Sequence, residues 1–236
     1  MQLRTHEPDP DNAGVGKMPF GIYPRRAVPR GAVFYSLRAL LRPPGKMEKA
    51  MNNTKKHTLT ICEAAISVAL ALVLSYIKID IGAQGGSLNF TMIPLVLFAV
   101  HRGGVKWGIG AGMIFGILKF IFAEGFAITW QSILLDYVLA YGAVGLAGVF
   151  HGKKGVHGYL LGALLGSVAR FIIHYISGVT IYAEYAGATY LGVSTPSPWI
   201  FSLIYNGFYM LFNTIAAVVI TPIVGAAVSR IKFRET

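Results

Sequence analysis

Apolar residues in this chain come in long blocks separated by short polar or charged segments. A bilayer crossing takes about 20 mostly apolar residues. Six blocks fit or approach that length: Leu59–Ile77, Leu88–Val100, Val105–Phe122, Ile128–Phe150, Gly158–Tyr182 and Trp199–Val228. The second is short and carries Pro94, which points to a tilted, kinked or partly spanning helix. The last is long and carries Pro222 near its end, where a kink is tolerated in lipid. Small residues recur every four positions inside the blocks: Gly104, Gly108, Gly112 and Gly116, then Gly158, Gly162 and Gly166, and the pair Ala65 and Ala69. Such stripes let helix backbones approach closely, because lipid tails give no hydrophobic drive between helices. The two glycine stripes read as internal packing. The alanine pair reads either as packing or as a seam for a partner's helix.

Met1 to about Lys46 does not share this pattern. It is polar, basic and rich in proline (Pro8, Pro10, Pro19, Pro24, Pro29, Pro43 and Pro44). Its one apolar run, Gly31–Leu41, is interrupted by Arg38 and leads to no small-residue cleavage site, so a signal peptide is not expected. Residues 1–50 are expected to form a flexible extension, and residues 51–236 a membrane domain. The native start is expected at Met47 or Met51, which leaves Lys55-Lys56-His57 as a basic lead before the first block.

Composition agrees with a membrane domain. Of 236 residues, 54% are hydrophobic and 13% charged, and the mean hydropathy is +0.57. An ordinary soluble domain carries about 25% charged residues, and a disordered chain has low hydrophobicity. The net charge is +11. In a soluble protein that excess would suggest nucleic-acid binding, but its placement follows the positive-inside rule instead. Lys55 and Lys56, Arg102 and Lys106, Lys153 and Lys154, then Arg230, Lys232 and Arg234 all fall on one side of an even-span topology. The opposite loops carry Lys78, Asp80, Glu124 and Glu184. The pattern predicts an all-α integral membrane protein with six transmembrane helices, both termini cytoplasmic and Ala183–Pro198 outside, in contact with lipid and not nucleic acid. The single cysteine, Cys62, excludes an intramolecular disulfide and a cysteine-based metal cluster, and no metal site is expected.

Charged side chains inside a span cost about 2.5–3.5 kcal/mol on insertion scales. Three fall within the blocks: Lys119, Asp136 and Arg170. Lys119 lies near the outer end of its helix and is expected to snorkel. Arg170 and His174 are four residues apart and share a helix face, which Gly178 and Tyr182 continue outward. With Asp136 and Asn206 they cluster in the outer half, as a cavity opening outward would require. A bland alternative makes Asp136 and Arg170 a structural ion pair and His174 a hydrogen-bonded core residue. The aromatic neighbours favour a ligand site. Tyr137, Phe171, Tyr175, Tyr182, Tyr185, Trp199, Phe201 and Tyr205 crowd the same region. Some belong to an interfacial belt; the rest could stack on a flat or cationic ligand, at about 0.5–2 kcal/mol per cation–ring contact.

HExxH, GxSxG and P-loop motifs are absent, so no enzyme is expected and uphill transport would need an ion gradient or a separate energising subunit. A membrane enzyme using Asp136, His174 and Arg170 would need a further carboxylate, and the outer half offers only Glu124 and Glu184, in loops. A purely structural or channel-forming bundle would not need a mixed acid–base–aromatic cluster.

Several segments carry a family resemblance. They are Ile93-Pro94-Leu95 leading to Arg102-Gly103, then Asp136-Tyr137-Val138-Leu139-Ala140 running into Gly145-Leu146-Ala147-Gly148-Val149-Phe150. Arg170-Phe171-Ile172-Ile173-His174-Tyr175-Ile176-Ser177-Gly178 and Ser202-Leu203-Ile204-Tyr205-Asn206-Gly207 follow. In order and spacing, the chain from about Glu63 onward resembles the ThiT family, the thiamine-specific S components of energy-coupling-factor (ECF) transporters. Tyr137, His174, Gly178 and Asn206 match the family's residues. Asp136 stands where the family has a ligand-engaging Glu, Arg170 where Lys is common, and Phe171 where Tyr is common. Tyr182 replaces a stacking Trp and Phe201 a usual Tyr. Lys78–Ser87 holds no counterpart of the family's other stacking Trp.

The resemblance implies a non-enzymatic substrate-binding subunit in the bacterial plasma membrane. It would bind thiamine from outside through Asp136, Tyr137, Arg170, His174, Gly178, Tyr182, Phe201 and Asn206. It also implies that Ala65 and Ala69 dock a coupling transmembrane subunit, which works with two ATPase subunits. The chain would then need no cofactor, and ATP would be used by the partners only. An S component for a thiamine precursor or another vitamin is the alternative within the family.

Overall fold

A computed structural model describes residues 44–80, 86–123, 125–153 and 155–230. The expectations for residues 1–43, Glu124, Lys154, Lys232 and Arg234 lie outside them. The chain divides into two compact units, Met1–Met51 and Asn52–Thr236. Of the first, residues 44–51 are described and are helical.

Among the described residues, five helices are long and apolar enough to cross a membrane: Met51–Ser75, Met92–Phe122, Trp130–Phe150, Val156–Thr180 and Pro198–Arg230. The first belongs to α1 (Pro44–Ser75). The second corresponds to two of the six expected blocks and is not straight. It comprises α2 (Met92–Phe98), a π-helical turn Ala99–Gly103, and α3 (Gly104–Phe122). Gly104 sits at φ 61°, ψ −170°, a conformation that favours glycine. A Cβ built at Gly108 would stand 2.9 Å from the Cβ of Ala99. In a straight helix, residues nine apart are about 13.5 Å apart, so the chain folds back at Gly104.

The bundle is mostly helical, as expected, with one short sheet among the described residues. After α1 a short antiparallel hairpin pairs β1 (Lys78–Asp80) with β2 (Ser87–Asn89), in the register Lys78↔Asn89, Ile79↔Leu88 and Asp80↔Ser87. The block expected to begin a helix at Leu88 therefore starts as a strand, and the helix begins at Met92. Polar side chains divert the backbone. Asn213 accepts the Asn89 N–H at 2.8 Å and donates to the Ser87 carbonyl at 2.9 Å. The Asn89 side chain accepts from the Thr91 hydroxyl at 2.6 Å.

The third span starts at α4 (Trp130–Ser132), whose N-terminus Thr129 caps reciprocally with Ser132. It continues as a π-helical stretch, Ile133–Leu139, then α5 (Ala140–Val144) and a 3₁₀ segment, Gly145–Phe150. The remaining long helices are α6 (Val156–Thr180) and α7 (Pro198–Arg230), the latter containing Pro222.

The core is held by backbone contact as much as by side chains. A Cβ at Gly112 would collide with the Tyr141 carbonyl, and one at Gly116 with the Tyr137 carbonyl. A Cβ at Gly166 would stand 3.0 Å from the Val144 carbonyl, a tight but less severe contact. The glycine stripes are thus internal packing, as expected. Val96, Phe115, Tyr141 and Val144 fill the spaces between. On α1, Val68 and Ala71 face this core, whereas Ala65 and Ala69 are exposed. Outward apolar side chains such as Ile66, Ile114, Ile172 and Val219 suit a lipid surrounding.

Candidate functional site

One end of the bundle gathers the end of α3, the start of the third span, the end of α6, the start of α7 and strand β2. Between them lies a cavity with about 720 Å³ of empty space, its open mouth included. Asp136, Tyr137, Arg170, His174, Gly178, Tyr182, Phe201 and Asn206 all line it. The structure therefore brings the eight residues singled out in the sequence to one place.

The polar wall is a continuous relay across three helices. Asp136 accepts from His174 Nδ1 at 2.9 Å and from the Ser177 hydroxyl at 2.8 Å. Arg170 Nε donates to His174 Nε2 at 3.2 Å. A guanidinium can only donate, so Nε2 accepts and the imidazole proton resides on Nδ1, facing the carboxylate. Arg170 Nη2 donates to the Tyr141 hydroxyl at 3.0 Å, and Lys119 Nζ donates to the same hydroxyl at 2.6 Å. The guanidinium also lies over the Tyr141 ring, 4.3 Å from its centroid. Asp136 thus reaches Arg170 through His174, and no direct ion pair forms between them.

The π-helical stretch sets this register. Ala140 N–H donates to the Leu135 carbonyl, five residues back. Hydrogen bonds that span five residues widen the turn, which brings Tyr141 round toward the face of Asp136.

Aromatic faces supply the apolar wall. Phe201 and Tyr205 stack with centroids 6.0 Å apart and 16° between planes. Phe126 and Tyr182 stack at 6.3 Å. The Tyr137 hydroxyl accepts from Phe126 N–H at 2.6 Å and donates to the Phe126 carbonyl at 3.0 Å, fixing the loop between α3 and α4. It is committed to that loop, so Tyr137 offers the cavity its ring. Asn206 donates to Ser202 at 3.1 Å and accepts from the Tyr209 hydroxyl at 2.9 Å. Gly178 makes this packing possible: a Cβ there would overlap Ser202 Oγ and stand 2.8 Å from Asn206 Nδ2. The hairpin closes one side, where Gly86 N–H donates to the Tyr205 hydroxyl at 3.1 Å.

Lys119 corrects an expectation. It does not snorkel; it is 9% exposed and lines the cavity. Its helix turns the Gly112 and Gly116 face toward the third span, and Lys119 shares that face. The sequence reading also passed over Phe126, Tyr141, Ser177, Ser202 and Tyr209. Ser177 lies three residues from His174, a spacing that already marks the shared face. Of the expected aromatics, Phe171, Tyr175 and Trp199 lie outside the lining; Trp199 is 61% exposed and 6.1 Å from Tyr175, as an interfacial belt would have it.

A family model described as thiamine transporter protein (Thia_YuaJ) matches residues 61–232. The thiamine transporter ThiT of Lacticaseibacillus paracasei is 31% identical over 182 residues, covering 71% of this chain and 87% of that protein. ThiT of Bacillus subtilis is 30% identical over 181 residues, covering 71% of this chain and 91% of that protein. The solved structure of ThiT from Listeria monocytogenes superposes with a TM-score of 0.64 at 28% identity, over 73% of this chain and 96% of that one.

Proposed function

We propose, because the chain belongs to the thiamine transporter protein family, that it is the thiamine-binding subunit of an ECF-type uptake system in a bacterial cell membrane. It is a multi-pass membrane protein and carries out no reaction of its own. The observation that carries the reading is the convergence of Asp136, His174, Asn206 and a ring of aromatics on one cavity. Thiamine combines a permanently cationic thiazolium, a flat aminopyrimidine and a hydroxyethyl tail. The Asp136 carboxylate balances the cation. Tyr137, Tyr182 and Phe201 supply faces for the rings, His174 holds the carboxylate in place, and Asn206 orients a polar edge. A mainly apolar pocket with a few placed polar groups suits such a ligand.

In this reading six segments cross the membrane, with α2 and its π-helical turn as a short second one. Both termini are cytoplasmic, and the cavity opens outward beside the 181–197 loop. Exposed Ala65 and Ala69 form the seam for a coupling transmembrane subunit, whose two ATPase partners use the ATP. A titration of the purified protein followed by intrinsic fluorescence, with thiamine and its separate pyrimidine and thiazole halves, tests the core of the proposal. Thiamine should bind more tightly than either half. Absence of thiamine binding to folded protein would refute it.

A further inference from the structure

Away from the cavity, α1 meets the rest of the bundle along a narrow stripe. Thr60, Val68, Ala71 and Ser75 are buried, whereas Leu59, Ile61, Ile66, Leu70 and Val73 are exposed. A charged tie crosses from the middle of this helix to the body of the fold. Arg102, in the π-helical turn Ala99–Gly103, donates through Nε to the Glu63 carboxylate at 2.9 Å. The turn that carries Arg102 is itself fixed on other sides. His101 Nδ1 lies 3.0 Å from the Tyr159 hydroxyl of α6, and that hydroxyl lies 3.0 Å from the Ser229 hydroxyl of α7. His151 Nδ1 donates to the Val100 carbonyl at 3.1 Å. Arg102 therefore holds α1 to an anchored point.

The place of Glu63 on the helix gives the tie a consequence. At α-helical pitch, counted round from Glu63, the buried Ala71 and Val68 lie at about 80° and 140°, and Ala65 and Ala69 at about 200° and 240°. The buried stripe thus separates the ion pair on one flank of α1 from the exposed alanines on the other. A roll that carries Glu63 away from Arg102 turns Ala65 and Ala69 in toward the bundle. The other ties act at the ends of the helix: the Tyr76 hydroxyl donates to the Phe122 carbonyl at 2.6 Å, and the His57 and Trp107 rings lie 6.2 Å apart. The side chains of Glu63 and Arg102 are 31% and 28% exposed. A pair this exposed adds little to global stability, but it biases the roll of a helix that rests on a stripe of small side chains.

We propose that the Glu63–Arg102 ion pair sets the roll of α1 and so presents the Ala65/Ala69 seam to the coupling subunit. The inference rests on the transport reading above. Glu63 and Arg102 are positioning residues for docking. Neither lines the thiamine cavity, and neither needs to touch the partner.

The test compares the full-length parent with Arg102→Glu, Glu63→Arg, the exchange of both, and Arg102→Gln. Calorimetric thiamine titration and ligand-free melting are measured on each purified protein. The initial rate of labelled thiamine uptake is measured, at matched expression, in bacterial cells where this chain is the sole thiamine carrier. Either single reversal sets like charges against each other and should slow uptake at least about fivefold, the order that turning a partly exposed ion pair into a repulsive contact supports. Thiamine binding by the purified variants should stay close to the parent's. The double exchange rebuilds the pair with its charges reversed and should recover most of the uptake. Arg102→Gln removes the charge without repulsion, so it carries the same test if the reversals fold poorly: uptake should fall and binding should hold. Binding and uptake that fall together in every variant, Arg102→Gln included, would overturn the inference, because the pair would then serve folding alone. Single variants that keep the parent's uptake would overturn it too. So would a double exchange that binds thiamine and recovers no uptake, because the side chains would then meet the partner directly. A parent that binds thiamine and supports no uptake would refute the transport reading, and this inference with it.

Discussion

Asp136→Asn isolates the charge of the proposed cation site with little change in shape. The structure shows why the substitution should fold. Asn can accept from His174 Nδ1 through its amide oxygen, at the 2.9 Å position now used by the carboxylate. Its amide nitrogen can donate to Ser177, whose hydroxyl accepts as readily as it donates. His174 keeps its tautomer, because Arg170 still donates to Nε2. Arg170 has no direct bond to Asp136, so the guanidinium is not stripped of a partner. What disappears is one negative charge. A thiazolium in contact with the carboxylate would lie about 5 Å away. At an effective dielectric of about 20, unit charges at that separation attract by about 3 kcal/mol. That corresponds to about a hundredfold in affinity. Calorimetric titration should therefore show thiamine binding weakened about a hundredfold, while the uncharged pyrimidine half loses far less. Asp136→Glu, which restores the residue the resembling family uses, should retain binding. An Asn variant that melts like the parent and binds thiamine equally tightly would refute the assignment. Asp136 would then merely hold His174 and Ser177.

Three further outcomes are expected. Gly178→Ala should lower the melting temperature and weaken binding, because its Cβ overlaps Ser202 and Asn206; overpacking of this kind costs about 1–3 kcal/mol, and a variant unchanged in both respects would contradict the close packing of α6 on α7. For topology, Ala188→Cys in a Cys62→Ser background should react with an impermeant thiol reagent on intact cells, and Lys153→Cys should not. The neighbouring Gly187 and Gly152 sit at φ 99° and 78° and are poor sites for a cysteine; the reverse labelling would overturn the orientation. Ala65→Trp or Ala69→Trp should block cellular uptake while leaving thiamine binding by the purified protein intact, and equal loss of both would mean that the seam is internal.

Much of the fold was legible because lipid permits few solutions. The expected blocks Gly158–Tyr182 and Trp199–Val228 fall within about two residues of α6 and α7, since a helix satisfies its own backbone in hydrocarbon. The reversal at Gly104 was marked by the interruption at Arg102 and Lys106. The hairpin was not legible. Leu88 reads as the start of an apolar block, and its strand is fixed by Asn213, 124 residues from Asn89. No local pattern reports a partner that distant.

The site was legible where a face followed α-helical spacing and obscure where it did not. Arg170, His174 and Gly178 recur every four residues on a regular helix, so their face could be drawn from sequence. Lys119 was misread from its distance to the helix end, although its phase was informative. It lies three residues beyond Gly116 and seven beyond Gly112, on the face those glycines press against the third span. Snorkelling requires a side chain free to turn toward the interface, and a face pressed against another helix denies that freedom. Tyr141 was hidden for a different reason. At α-helical pitch, residues five apart point about 140° apart, which would aim Tyr141 away from Asp136. The π-helical stretch Ile133–Leu139 gives up that pitch, and only then do the carboxylate and the phenol face one cavity. The phenol is what joins Lys119 to Arg170, and through His174 to Asp136. A return of Ile133–Leu139 to α-helical pitch would leave every side chain of the relay in the sequence and break its connection across the three helices.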